Sequence, residues 1–128
     1  MDLRKIGTIH ILIVEDDSFN VHLLSALLKK IADVKIISTD DGKEALKILE
    51  SDKKVDVILL DIHMPKMGGK DVLNAIRKQE TYNDIPVIII SVDGLDEDEL
   101  LKMGANDFVL KPFDIEQFTT VLQKQLNR

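Results

Sequence analysis

The run Val55-Asp56-Val57-Ile58-Leu59-Leu60-Asp61, continued by Ile62-His63-Met64-Pro65-Lys66-Met67-Gly68-Gly69, decides the fold. Val57 to Leu60 are apolar at consecutive positions, the pattern of a strand covered on both faces rather than of one with a wet side. Such strands build parallel sheets, and in open α/β sheets the ligand site lies just beyond their carboxyl ends. Asp61 stands at such an end. Pro65 fixes its own φ and lacks an amide proton, which stops the strand, and Gly68-Gly69 permits the turn into the next helix. The chain therefore delivers one carboxylate to a rim.

Upstream, 8–14 holds Ile9, Ile11, Leu12, Ile13 and Val14 and stops at Glu15-Asp16-Asp17, a buried strand ending in acids. Over 18–32, Phe19, Leu23, Leu24, Leu27, Leu28 and Ile31 recur at helical spacing, which predicts a helix with these side chains on its apolar face. A β-branched strand follows at 34–38. Asp41-Gly42-Lys43-Glu44 then has the form of a helix start with Asp41 as cap, and Leu46, Ile48 and Leu49 supply the buried face. Downstream, Val72, Leu73 and Ile76 share one face of a helix over 70–79. Pro86 opens the strand Val87-Ile88-Ile89-Ile90-Ser91, a position where proline is tolerated. A short helix over 96–103 ends at Gly104, and Phe108-Val109-Leu110 runs into Lys111-Pro112. The last helix begins at Asp114, with Gln117 completing a capping box and Phe113 stapled on Phe118.

Strand and helix alternate without repeat, low-complexity tract or linker, so 1–128 is expected to be one domain with its core over about 8–127. The expected class is α/β, a doubly wound five-stranded parallel sheet with right-handed crossovers. Of the two common doubly wound orders, five strands fit 2-1-3-4-5, the flavodoxin-like (βα)5 arrangement, in which strands one and three flank the switch point. Glu15, Asp16 and Asp61 then meet. A formal charge of −6 with no basic stripe argues against nucleic acid as a partner. The segment 1–7 is too short and charged for a signal peptide and no apolar run reaches membrane-spanning length, so no membrane insertion and a cytoplasmic location are expected. The lack of cysteine excludes disulfides and thiolate metal sites, which suits a reducing compartment.

Carboxylates gathered at a switch point repel one another, which favours protonating some of them or holding a cation between them. Oxygen donors without cysteine select a hard ion. A few carboxylates that leave positions for water and a phosphoryl oxygen suit Mg²⁺, with Mn²⁺ as a substitute. Taken singly, each residue has a plain structural role: an acidic triplet favours the positive end of a helix, a rim lysine is solvated, and a serine at a strand end makes a turn. Asp17 fits that description as a cap. The plain roles leave unexplained why Asp61, Ser91 and Lys111 occupy neighbouring strand ends. Lys111 supplies a cation for Asp61 or for an anion added to it, and Ser91 a hydroxyl for the same anion, which outlines a phosphoryl site.

Together these residues resemble the receiver domains of two-component response regulators. The resemblance is carried by Ile11-Leu12-Ile13-Val14-Glu15-Asp16-Asp17, by Leu59-Leu60-Asp61-Ile62-His63-Met64-Pro65-Lys66-Met67-Gly68-Gly69, by Ser91, by Gly104-Ala105, and by Phe108-Val109-Leu110-Lys111-Pro112-Phe113. It implies that a sensor histidine kinase or a histidine phosphotransfer protein passes a phosphoryl group to Asp61. Asp16 and Asp61 would bind Mg²⁺ directly, Glu15 through water, and the backbone carbonyl of His63 would complete the metal site. Lys111 and Ser91 would hold phosphoryl oxygens by electrostatic stabilisation. The chain would catalyse only its own phosphorylation and dephosphorylation. The resemblance further implies that Ser91 moves toward the phosphoryl group while Phe108 turns inward, biasing the surface of helix four, strand five and helix five toward a downstream protein. It also implies a cis peptide at Lys111-Pro112.

Three departures stand out. The stretch between Ser91 and Lys111 is shorter than in typical members, which shortens helix four. Phe108 stands where tyrosine is common, removing a phenolic hydroxyl. Asn20, four residues beyond Asp16, is similar to receivers of hybrid kinases and phosphorelays. Two other readings compete. A phosphatase of the haloacid-dehalogenase type also places an aspartate beside Mg²⁺, but it needs an acid two residues further on, where this chain has His63. A receiver fold used purely for binding has no need of intact acceptor, metal and lysine positions.

Overall fold

The computed structural model describes residues 3–64, 67–94 and 96–126. The apolar run at 57–61 forms strand β3 (Val57–Asp61), buried at every position. It lies between β1 (Ile9–Val14) and β4 (Val87–Ser91), with β2 (Val34–Thr39) and β5 (Asp107–Leu110) at the edges. The order is β2-β1-β3-β4-β5 and every pairing is parallel, as the strand–helix alternation requires. The crossovers are α1 (Ser18–Ile31), α2 (Gly42–Glu50), α3 (Gly69–Arg77) and α4 (Glu97–Lys102), and α5 (Ile115–Leu126) follows β5.

Side chains alternate across a strand, and the alternation divides the core in two. Ile11 and Ile13 of β1, Leu59 of β3 and Ile88 and Ile90 of β4 meet Leu24 and Leu28 of α1 and Phe118 and Leu122 of α5. Leu12, Val14, Ile58, Leu60 and Ile89 meet Ala45 of α2, Val72, Leu73 and Ile76 of α3 and Leu100 of α4 on the other face. Each fully buried leucine or isoleucine contributes about 1.5–3 kcal/mol relative to exposure, so this two-sided burial drives the fold.

Several local expectations need correction. Phe19 is 71% and Leu23 37% exposed, whereas Leu24, Leu28 and Ile31 are buried. The buried stripe of α1 is narrower than the spacing suggested, because Phe19 and Leu23 lie round the helix from it and Val21 packs in their place. On α2 the buried residues are Gly42, Ala45 and Leu49, and Leu46 and Ile48 are only half-buried. Asp41 caps α2 by accepting from the Lys43 amide at 2.9 Å, but its own amide donates to Thr39 Oγ1 at 3.2 Å, the place a reciprocal Glu44 bond would take. At α5, Asp114 Oδ1 accepts from the Glu116 amide at 2.9 Å, and the Phe113 and Phe118 rings meet edge-on at 5.5 Å as the staple predicts.

The Gly68-Gly69 pair also acts differently from a flexible turn. Gly68 has an ordinary φ of −66° and open space around it. Gly69 is needed for close approach: a Cβ there would lie 2.6 Å from both the Asp61 carbonyl oxygen and Ile62 Cα. The role assigned to Pro65 lies outside the described residues, as does Asn127 at the expected end of the core. Gly69→Ala must push α3 away from the end of β3, at a cost of about 1–3 kcal/mol. Gly68→Ser introduces a better N-cap and is expected to stabilise by roughly a few tenths of a kcal/mol. Urea unfolding of the two variants tests this pair, and equal midpoints would contradict it.

Candidate functional site

Register assembles the site. Val14 pairs with Leu60, Asp61 with Ile90, and Ser91 with Leu110. The residues that continue these strands, Glu15 and Asp16 after β1 and Lys111 after β5, therefore gather at the same edge as Asp61 and Ser91. Glu15, Asp16 and Asp61 each offer a carboxylate oxygen, all within 4.8 Å of one another. Glu15 and Asp61 are buried, at 2% and 3% exposure, and Asp16 faces solvent. Lys111 Nζ lies 2.8 Å from Glu15 Oε1 and 3.9 Å from Asp61 Oδ2, so its first partner is Glu15. The sequence pointed to Asp61 as that partner.

Asp17 is engaged as a cap, its Oδ1 accepting from the Phe19 amide at 2.9 Å, in agreement with its plain structural role. The Asp17 amide in turn donates to Glu15 Oε2 at 3.3 Å. His63 donates its amide to Asp61 Oδ1 at 3.2 Å, while its half-exposed ring leans toward Asp93, with Nε2 3.7 Å from Oδ2. Ser91 is buried; its carbonyl accepts from the Lys111 amide at 2.7 Å and its hydroxyl oxygen from the Asp93 amide at 3.4 Å. The Lys111-Pro112 peptide is cis. Phe108 is already packed in the core beneath α3 and α4, the inward placement that the resemblance attached to the switched form. Asn20 and Val92 line the same cleft, and Val92 is 66% exposed. Sequence reading missed Val92, although an apolar residue directly after a strand-end serine is a usable signal.

The charges explain one another. Burial raises the Asp61 carboxyl to about 7, and the hydrogen bond with Glu15 and its negative charge push the same way. Burial also raises Glu15, but hydrogen bonds with Asp61 and Lys111 and the lysine's charge outweigh it, leaving Glu15 below the usual carboxylate range. Asp16 is raised, by partial desolvation and by Glu15. The buried pair therefore shares one proton near neutral pH, and Asp61 carries it because the ammonium group is closer to Glu15. A dication fits this set: the donors are all oxygen, and the proton held by Asp61 marks a shortage of positive charge. The cleft around them, about 360 Å³, is lined by Glu15, Asp16, Asp17, Asn20, Asp61, His63, Val92 and Lys111. At about 30 Å³ per water, it has room for a partly hydrated ion and a phosphoryl group.

Comparison with known proteins gives the same answer. The family model for the response regulator receiver domain matches residues 11–123. The two-component response regulator ORR5 of Oryza sativa subsp. japonica is 33% identical over 108 residues, covering 83% of this chain and 80% of that protein. The regulatory protein VirG of Agrobacterium tumefaciens is 37% identical over 112 residues, covering 85% of this chain and 40% of that protein. Among solved structures, the receiver domain of the sensor histidine kinase PA1611 from Pseudomonas aeruginosa, with a magnesium ion coordinated in its active-site cleft, matches with a TM-score of 0.85. The identity is 28%, over 95% of this chain and 100% of that one. Among the described residues no helix is long and apolar enough to cross a membrane. The sheet order, the carboxylate cluster beside Lys111 and the match over 11–123 together show that the chain belongs to the response regulator receiver domain family.

Proposed function

We propose that this receiver, one domain over 1–128, takes a phosphoryl group onto Asp61 from a phosphohistidine of a sensor histidine kinase or a histidine phosphotransfer protein. The observation that carries the reading is the buried Asp61 carboxyl, held at a sheet edge beside Glu15, Asp16 and the Lys111 ammonium. Asp16 and Asp61 would hold Mg²⁺, or Mn²⁺ in its place, with Glu15 acting through water and the His63 carbonyl as a further oxygen donor. The ion, when bound, supplies positive charge against the phosphoryl oxygens and removes the need for a proton on Asp61.

The chain's own residues do the rest. The His63 amide orients one Asp61 oxygen, and the ionised carboxylate attacks phosphorus. A P–O bond forms as the P–N bond to the donor histidine breaks, and the leaving imidazole nitrogen keeps the bonding pair. Lys111 leaves Glu15 for a phosphoryl oxygen, and the Ser91 hydroxyl turns from the Asp93 amide to donate to the same group. The reaction chemistry is confined to the domain's own phosphorylation and dephosphorylation, in the cytoplasm. Its output is a protein contact through α4, β5 and α5, a face that exposes Leu101 at 40% and Leu110 at 43%. The packed Phe108 narrows this route: the signal must pass through Ser91 and the chain after it rather than through an aromatic swinging in from solvent.

With Mg²⁺ and a small donor such as acetyl phosphate, the wild-type chain is expected to gain one phosphoryl group by intact mass, and Asp61→Asn none. No adduct with any of several donors would contradict the assignment. Lys111→Ala removes a phosphoryl-oxygen donor and is expected to slow phosphorylation about 100-fold. Calorimetry should find its Mg²⁺ binding retained, because the lysine pairs with Glu15 and does not stand among the donors. An unchanged rate in Lys111→Ala would remove the lysine from the reaction.

A further inference from the structure

Arg77 ends α3, where a basic residue ordinarily does no more than face the negative end of its helix. Here its side chain reaches much further. Nε donates to the Gly104 carbonyl at 2.9 Å, Nη1 to the Tyr82 carbonyl at 2.9 Å, and Nη2 to the Ile85 carbonyl at 2.9 Å and to Asn106 Oδ1 at 2.8 Å. One rigid fork thus joins the end of α3, the segment before β4 and the turn between α4 and β5. The turn is tied down a second time: Asn106 Oδ1 accepts from the Val87 amide at 2.8 Å, and the Asn106 amide donates to the Val87 carbonyl at 2.8 Å. Gly104 adopts φ +112°, and a Cβ there would lie 2.8 Å from Arg77 Cγ, so the arginine stem occupies the room a side chain would take.

The other end of α4 is held differently. Lys70 Nζ pairs with Glu99 at 2.9 Å and with Asp96 at 3.5 Å, all through side chains 40–57% exposed. Exposed pairs of this kind hold weakly and are screened by salt. Between the two ends, Leu100 is the buried residue of the helix. Among the described residues, α4 is thus tied by a half-buried fork at its end and by exposed ion pairs at its start, the end that follows Ser91.

We propose that Arg77 is the pivot of α4: it fixes the α4–β5 turn, so that a change at Ser91 swings the start of the helix about Gly104–Asn106 instead of displacing the whole helix. The fixed end is a property of the resting fold, and its use in switching rests on the phosphoacceptor reading above. Amide hydrogen exchange on the full chain tests both parts. In the resting protein, the Ala105 and Asn106 amides are expected to exchange about tenfold or more slowly than those of Leu100 to Lys102. Equal or faster exchange at the turn overturns the pivot. Arg77→Lys keeps the charge and loses the fork, and is expected to speed exchange at Gly104, Ala105 and Asn106 about tenfold relative to β1 and β3. No change there overturns it too; should this variant not fold, the wild-type gradient decides alone. After treatment with acetyl phosphate and Mg²⁺, shifts are expected at Val92, Asp93 and Leu100 but not at Gly104 to Asn106, and shifts of equal size at both ends overturn the pivot. Absence of a phosphoryl adduct by mass instead defeats the phosphoacceptor reading, and the resting-state comparison then decides the pivot.

Discussion

The buried contact between Glu15 and Asp61, answered by a single lysine, is the constraint on which this molecule turns. Two carboxyl groups taken out of water within hydrogen-bonding reach cannot both ionise unless positive charge is supplied. Lys111 supplies enough for one. Its ammonium sits 2.8 Å from Glu15 and 3.9 Å from Asp61, so Glu15 ionises readily and Asp61 keeps its proton to about pH 7. This arrangement disfavours the metal-free fold as pH rises. The unfolded carboxyl ionises near its ordinary 3.8 while the folded one holds its proton, so the contribution to stability falls between those values. A cation held beside Asp16 and Asp61 would remove that penalty.

The sheet makes the cluster unavoidable. Strands buried on both faces leave side chains little choice of position, and the parallel register places Glu15, Asp61, Ser91 and Lys111 at one edge. Gly69 then lets α3 start against the Asp61 carbonyl, so the Asp61 backbone is braced from behind. At the far end of the molecule Arg77 performs a related task with hydrogen bonds to neutral oxygens, fixing the turn after α4. The strand ends that carry Asp61 and Ser91 are thus fixed by the sheet, and the turn after α4 by the Arg77 side chain.

What could be read from the sequence follows the same division. Strand ends are legible, because apolar runs at β1, β3 and β4 stop at Glu15, Asp61 and Ser91, and topology alone brings those stops together. Distances between side chains are not legible. The sequence points Lys111 to Asp61, and the preference for Glu15 emerges when the folded backbone sets 2.8 Å against 3.9 Å. In the leucine-rich α1, overlapping spacings hide which stripe is buried, so the periodicity places Phe19 and Leu23 inward whereas they lie outward. Arg77 is not legible as an anchor, because a basic last-turn residue is commonplace and its partners Gly104 and Asn106 are distant in sequence.

The most direct test of the central claim is proton release on Mg²⁺ binding, followed by calorimetry in buffers of different ionisation enthalpy from about pH 6 to about pH 8. If Asp61 holds a proton to about pH 7 in the metal-free protein, binding releases close to one proton at the acid end and almost none at the alkaline end. Affinity then rises with pH, by up to about tenfold per unit, and levels off above about 7. Binding with no proton release and constant affinity across this range would show that Asp61 is already ionised, and would contradict the account.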